Sequence, residues 1–139
     1  MAYPLQMITL TTAATLTQDN HAETIVVMNS TTGFTITMPA ATATGNKYKF
    51  VQNVTVGSGS QVIAALGTDI LMGAIAIATD IAGVTCPTTA TSDKITMDGA
   101  TVGGVLGSTI TLTDVASGKW LVEGSLVSTG AEATPFSAT

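Results

Sequence analysis

With 139 residues, nine carboxylates against four lysines and no arginine, the chain has a formal net charge of -5. The missing guanidinium, which reads phosphate and guanine bidentately, argues against a nucleic-acid partner. One histidine and one cysteine can build neither a zinc site nor an internal disulfide. Charged residues make up only 9% of the chain, against about 25% in ordinary soluble domains. The exposed surface is therefore expected to be mostly hydroxyl and methyl groups, and the simplest use for such a surface is to be covered by other subunits.

The length predicts one domain over residues 1–139, large enough to close a core without disulfides or metal. Met1 to Gln6 has no positive side chain and is interrupted by Pro4, so no secretory signal is expected. The most apolar run, Ile70 to Ala78, falls far short of the ~18 to 20 residues a membrane helix needs.

Met1 to Pro4 is expected to be a loose arm, leading into a strand over Leu5 to Leu10 that is apolar on both sides and so buried on both faces. Thr11 to Asn20 is threonine-rich and ends in the turn formers Gln18, Asp19 and Asn20. The β-branched centre of His21 to Asn29 predicts a strand, closed by the turn cluster Asn29 to Gly33. Gly33 to Pro39 then places Phe34, Ile36 and Met38 on one side, and Lys47 to Val51 sets Tyr48 and Phe50 against two lysines. Two half-buried strands follow, joined by a turn in which Pro39 cannot donate a ladder hydrogen bond and Gly45-Asn46 tolerate the positive φ of a returning chain.

After the glycine turn at Gly57 to Ser60 come Gln61 to Leu66 and Ile70 to Ala78, split by Gly67-Thr68-Asp69. Alanine and leucine make a helix the competing assignment for Val62 to Ala78, but Gly67, Gly73 and the β-branched residues tilt it to strand. Thr79 to Ser92 predicts a short strand around Val84. Cys86 is either a buried small hydrophobe or an exposed thiol, and Pro87 favours a strand end. Lys94 to Asp98, Ser108 to Thr113 with Ile110 and Leu112 inward, and Lys119 to Glu123 with Trp120 and Val122 on one face complete the strands. Gly124 continues or kinks the last of them. The tail Thr129 to Thr139 has no periodicity and ends exposed unless a neighbour captures Phe136.

Eight to ten short strands with turn signals and no amphipathic helix are the pattern of an all-β sandwich, jelly roll or small barrel. The chain is read as a single-domain, jelly-roll-like β-sandwich with extended arms at residues 1–12 and 128–139. No clean internal repeat is present.

No catalytic constellation emerges. His21 lies among Asp19, Asn20 and Glu23 in a turn, and no Gly-x-Ser-x-Gly elbow accompanies it. Asp69, Asp80, Asp93, Asp98 and Asp114 fall at predicted strand ends, where aspartate is an ordinary turn former, and no calcium loop is written around them. The sequence therefore predicts no enzyme, no metal site, no cofactor and no small-molecule substrate. The few aromatics are too scattered for a sugar-binding platform.

Three blocks carry a resemblance: Phe34-Thr-Ile-Thr-Met-Pro-Ala-Ala-Thr-Ala-Thr-Gly-Asn-Lys-Tyr-Lys-Phe-Val51, Asp93-Lys-Ile-Thr-Met-Asp-Gly-Ala100, and Asp114-Val-Ala-Ser-Gly-Lys-Trp-Leu-Val-Glu-Gly124 with the tail Gly130-Ala-Glu-Ala-Thr-Pro-Phe-Ser137. Covering about half the chain, they resemble the capsid decoration (cement) proteins of tailed bacteriophages. The resemblance implies a trimeric subunit on the outer capsid surface of the virion that bridges major capsid protein subunits and stabilises the shell. It transfers no catalytic residues and implies neither a membrane nor a nucleic-acid partner. The β-prone, charge-poor termini are the expected contacts, with Met1, Ala2, Tyr3, Pro4 and Leu5 at one end and Thr134, Pro135 and Phe136 at the other. The rival expectation is a β-rich trimeric module of a head or tail fibre that binds a host receptor or glycan. A secreted enzyme using His21 or Asp19 is the third.

Overall fold

Ile36, Ile63, Ile95 and Phe136 oppose one another in a single row across four strands, and all four are buried. That row is the inner face of one of two sheets. The computed structural model describes residues 6–139; the expected contact residues Met1, Ala2, Tyr3, Pro4 and Leu5 lie outside the described residues. In chain order the elements are β1 (Met7–Leu10), β2 (Ala14–Thr15), the single-turn helix α1 (Gln18–His21), β3 (Ile25–Met28), β4 (Thr35–Thr37), β5 (Lys47–Gln52), β6 (Gln61–Ala64) and β7 (Ile70–Ala78). There follow β8 (Gly83–Pro87), β9 (Lys94–Met97), β10 (Thr109–Ala116), β11 (Lys119–Val127) and β12 (Phe136–Ser137).

The larger sheet runs β1-β3-β5-β10-β11-β7-β8 and the smaller β12-β9-β6-β4-β2. The chain is the expected all-β sandwich. Its winding, however, is mixed rather than the antiparallel Greek-key order of a jelly roll. The first six strands alternate between sheets, so that β1, β3 and β5 stack in parallel on one side and β2, β4 and β6 on the other. This is a short parallel coil. Its corners are pinned by backbone bonds from Asn29 to Leu10 and from Asn53 to Met28, and the Asn53 side-chain amide donates to Asn29 Oδ1 at 3.0 Å. Met7 opposes Ile25 and Ile25 opposes Lys49, so successive turns differ in length and leave no fixed period in the sequence. The second half of the chain closes the larger sheet with the antiparallel pairs β10/β11 and β7/β8.

Period-two alternation explains which side chains meet between the sheets. Tyr48 and Phe50 of β5, Ile110 and Leu112 of β10, Trp120 and Val122 of β11, and Ile36 with the neighbouring Met38 all point inward and are essentially inaccessible. Tyr48 and Trp120 pack edge to face with ring centroids 5.4 Å apart and planes at 81°, a favoured aromatic geometry. Cys86 is buried among them as a small hydrophobe.

Three expectations are corrected. The first strand is not buried on both faces: β1 is a sheet edge with exposed and half-buried residues alternating, and Met7 is 69% exposed. The strands on either side of residues 39–46 do not return on each other. β4 pairs with β2 and β6, and β5 with β3 and β10, so the connection crosses between sheets. The C-terminal arm is not free either, because Phe136 pairs with Ile95 and Ser137 with Lys94 as edge strand β12. The neighbour that captures Phe136 is the chain's own β9.

Candidate docking surface

The outer face of the larger sheet follows from the same alternation. Thr9, Val27, Val51, Thr109, Ser125, Ala76 and Thr85 stand in register across all seven strands. Thr9, Val27, Val51, Thr109 and Ala76 are each flanked along their strands by buried or half-buried side chains, none of the seven is ionisable, and none is larger than valine. A surface of this kind costs little to desolvate and has few rotamers to freeze.

Charge on this face is confined to one end of the strands. The neighbouring row runs Met7, Ile25, Lys49, Thr111 and Glu123, and the next runs Lys47, Thr113, Leu121 and Met72, with Lys119 beside Ile70 at the start of β11. Lys47, Lys49 and Lys119 are all exposed. Glu23, Thr24, Ile25, Lys47, Lys49 and Thr111 line a shallow depression of about 290 Å³. Glu23 sits at φ 58°, a left-handed conformation unusual for a residue with a side chain. It is held there by two bonds to one partner: its N–H donates to the Lys47 carbonyl at 2.7 Å, and its carboxylate accepts from the Lys47 N–H at 2.8 Å.

At the same end, the crossing loop of residues 39–46 is tied down by carboxylates. Asp114 lies in β10 where the pairing with β11 slips, and its carboxylate accepts from the N–H groups of Thr42, Ala43 and Thr44 and from the Thr44 hydroxyl. Asp69 accepts from the Ala41 N–H at 2.8 Å. Burial by itself would push the Asp114 carboxyl up, but the donors from Thr42, Thr44 and Ala43 outweigh it and hold the carboxyl below its ordinary range. Tyr48 is pushed up by burial first and then by the negative charges of Asp114 and Glu23. Asp98 is a second such case. Against burial, it is lowered by the N–H groups of Ala100 and Val102 and by the Thr101 hydroxyl, which fold the Gly99 turn around it.

Of the contact residues named from the C-terminal sequence, Thr134 is exposed, whereas Pro135 and Phe136 are buried within the chain's own sandwich. The Pro135 carbonyl accepts from Thr96, so both residues are spoken for by the fold. His21 closes α1, where its Nδ1 lies 3.0 Å from the Thr17 N–H. Asp69, Asp98 and Asp114 act as loop anchors, and among the described residues no group of three His, Cys, Asp or Glu side chains could hold a metal. Sequence alternation already set Lys47 and Lys49 on one face. That Lys119 joins them depends on β10 lying between β5 and β11, which no local pattern encodes. Comparison with protein-family models, curated proteins and solved structures returns no match.

Proposed function

We propose that this chain is a structural protein of a tailed bacteriophage, binding the outer capsid surface as a trimeric decoration protein and bridging major capsid protein subunits. The observation that carries this reading is the uncharged row from Thr9 to Thr85 across the whole width of the larger sheet. A protein whose work is to be pressed against a larger surface needs area that sheds water cheaply, and a chain with 9% charged residues supplies it. Stabilisation follows from linkage: a ligand that binds the closed lattice and not its free subunits adds about 2.7 kcal/mol per site at a hundred times its dissociation constant.

The rival reading, a glycan- or receptor-binding fibre module, calls for exposed aromatic rings. Among the described residues, Trp120, Tyr48, Phe50 and Phe136 are buried and Phe34 is half-buried, which favours the decoration role.

The test uses heads stripped of this protein. Purified chain added back is expected to sediment with them at fixed stoichiometry, appear on their outer surface by imaging, and raise their resistance to heat. Failure to bind, or binding to host-surface glycan instead, would overturn the reading.

A further inference from the structure

Aspartate followed by glycine is prone to rearrange, because glycine has no side chain to shield its nitrogen from the preceding carboxyl. Asp98-Gly99 is the only aspartate or asparagine of this chain that glycine follows. The fold leaves no alternative at the second position: Gly99 has φ +81°, and a Cβ there would fall on the Val56 carbonyl. Nor is the first position free. The Asp98 carboxylate accepts from the N–H groups of Ala100 and Val102 at 2.8 and 3.1 Å, and from the Thr101 hydroxyl at 3.1 Å. The same turn anchors the loops beside it, since the carbonyls of Ala100 and Thr101 accept from Thr129 and Ala133, and the Gly104 carbonyl accepts from Val56.

We infer that Asp98-Gly99 is this chain's site of spontaneous isoaspartate formation, and that the turn of residues 98–104 gates it. In the reaction the Gly99 nitrogen attacks Asp98 Cγ, a C–N bond forms, and the carboxyl hydroxyl leaves as water with the Gly99 proton. Water then reopens the succinimide at the main-chain carbonyl, so that the chain continues through the side chain. The closed turn opposes the first step twice. The Gly99 N–H donates to the Gly103 carbonyl at 2.8 Å, which holds the nitrogen away from attack. Three donors keep the carboxyl in its ionised form, which has no hydroxyl to lose. Once rearranged, the turn cannot close again, because a main chain longer by one methylene no longer presents the carboxylate to Ala100 and Val102. The loops holding Val56, Thr129 and Ala133 then lose their anchors. This chemistry is the same whether or not the chain decorates a shell.

The test ages the folded protein beside its own fragment Ile95 to Lys119, released by cleavage after lysine, near neutral pH, and maps isoaspartate at residue 98 by electron-transfer fragmentation. The fragment is expected to accumulate it at least about tenfold faster than the folded protein, where reaction waits for local opening. Thr101→Val, which removes one donor to the carboxylate, should age faster than wild type while still folded, and aged protein should melt at a lower temperature than fresh. Equal rates in fragment and fold, or damage confined to another residue such as Asn29 before Ser30, would overturn the inference. So would a folded Thr101→Val that ages no faster, or aged protein that melts like fresh. Should Thr101→Val fail to fold, as judged by circular dichroism, hydrogen exchange at the wild-type Gly99 amide decides: slow exchange supports the gate, and exchange at the fragment's rate removes it.

Discussion

Asp114 and Thr44 are joined twice: the Thr44 N–H and the Thr44 hydroxyl both donate to Asp114 Oδ2, at 3.2 and 2.8 Å. With the N–H groups of Thr42 and Ala43 on the same carboxylate, a single side chain of β10 holds the loop that carries the chain from one sheet to the other. It also holds Ala43 at φ 62°, a conformation that non-glycine residues avoid. Asp114→Ala would orphan these donors. A loss of about 3 kcal/mol is expected, because bonds to a charged acceptor contribute roughly 1.5–3 kcal/mol each and are not additive. Asp114→Asn, which keeps one acceptor oxygen, should lose less, and urea denaturation of the three proteins checks the order.

The same carboxylate makes stability depend on pH. The Asp114 and Asp98 carboxyls are lowered in the folded protein, so the unfolded chain binds protons more readily than the native one in acid. Their stabilisation is complete above the ordinary carboxylate range, near pH 4, and is lost as pH falls through the folded values. Melting temperature should therefore drop steeply below about pH 4. In Asp114→Asn that drop should be shallower, and an unchanged acid slope would show that Asp114 does not carry it.

Gly124 lies within β11, which continues through it as one strand paired to Ile110 of β10. A Cβ at this position would stand 2.4 Å from the Thr109 carbonyl oxygen and 3.0 Å from the Ile110 Cα, both backbone atoms of the neighbouring strand that cannot swing aside. Gly124→Ala should cost about 1–3 kcal/mol through overpacking. Gly45→Ala, by contrast, meets no atom within 4 Å and is strained only by its φ of +77°, for about 1–2 kcal/mol. Denaturant midpoints of the two variants measure the difference between collision and backbone strain.

Phe136 decides whether the C-terminal segment is part of the sandwich. Only 8% exposed and packed against Ile95, it should cost about 3 kcal/mol when cut to alanine, at the low end for a buried phenylalanine because it sits on an edge strand. A free arm would lose nothing. Thermal melts of Phe136→Ala and of a chain ending at Thr134 distinguish the two, and the truncated chain should be at least as destabilised.

Much of the molecule was legible residue by residue. Wherever apolar and polar side chains alternate, as in Lys47 to Val51, Thr109 to Thr113 and Lys119 to Glu123, the inward set could be named correctly, because a pleated strand has only two faces and water selects between them. Even the split of Gln61 to Ala78 into two strands at Gly67-Thr68-Asp69 could be read, and β6 and β7 form on either side of it. The candidate docking face was legible in part: Lys47 and Lys49 announced an outward surface opposite Tyr48 and Phe50. Met7 misled, since an apolar residue in a strand reads as buried whether that strand is central or at an edge.

By itself, then, the sequence determined that this is a β protein, which side chains of its clearly alternating strands face the core, and that its surface would be nearly without charge. The tertiary structure alone decided the parallel coil of the first six strands, the crossing of residues 39–46 from sheet to sheet, the capture of Phe136 by Ile95, and the placing of Lys119 two strands away from Lys47 and Lys49 on the same sheet. Facing is a local choice made by each residue against solvent. Partnering is a choice among strands far apart in the chain, settled by which register buries the most apolar surface while leaving the fewest backbone groups unpaired.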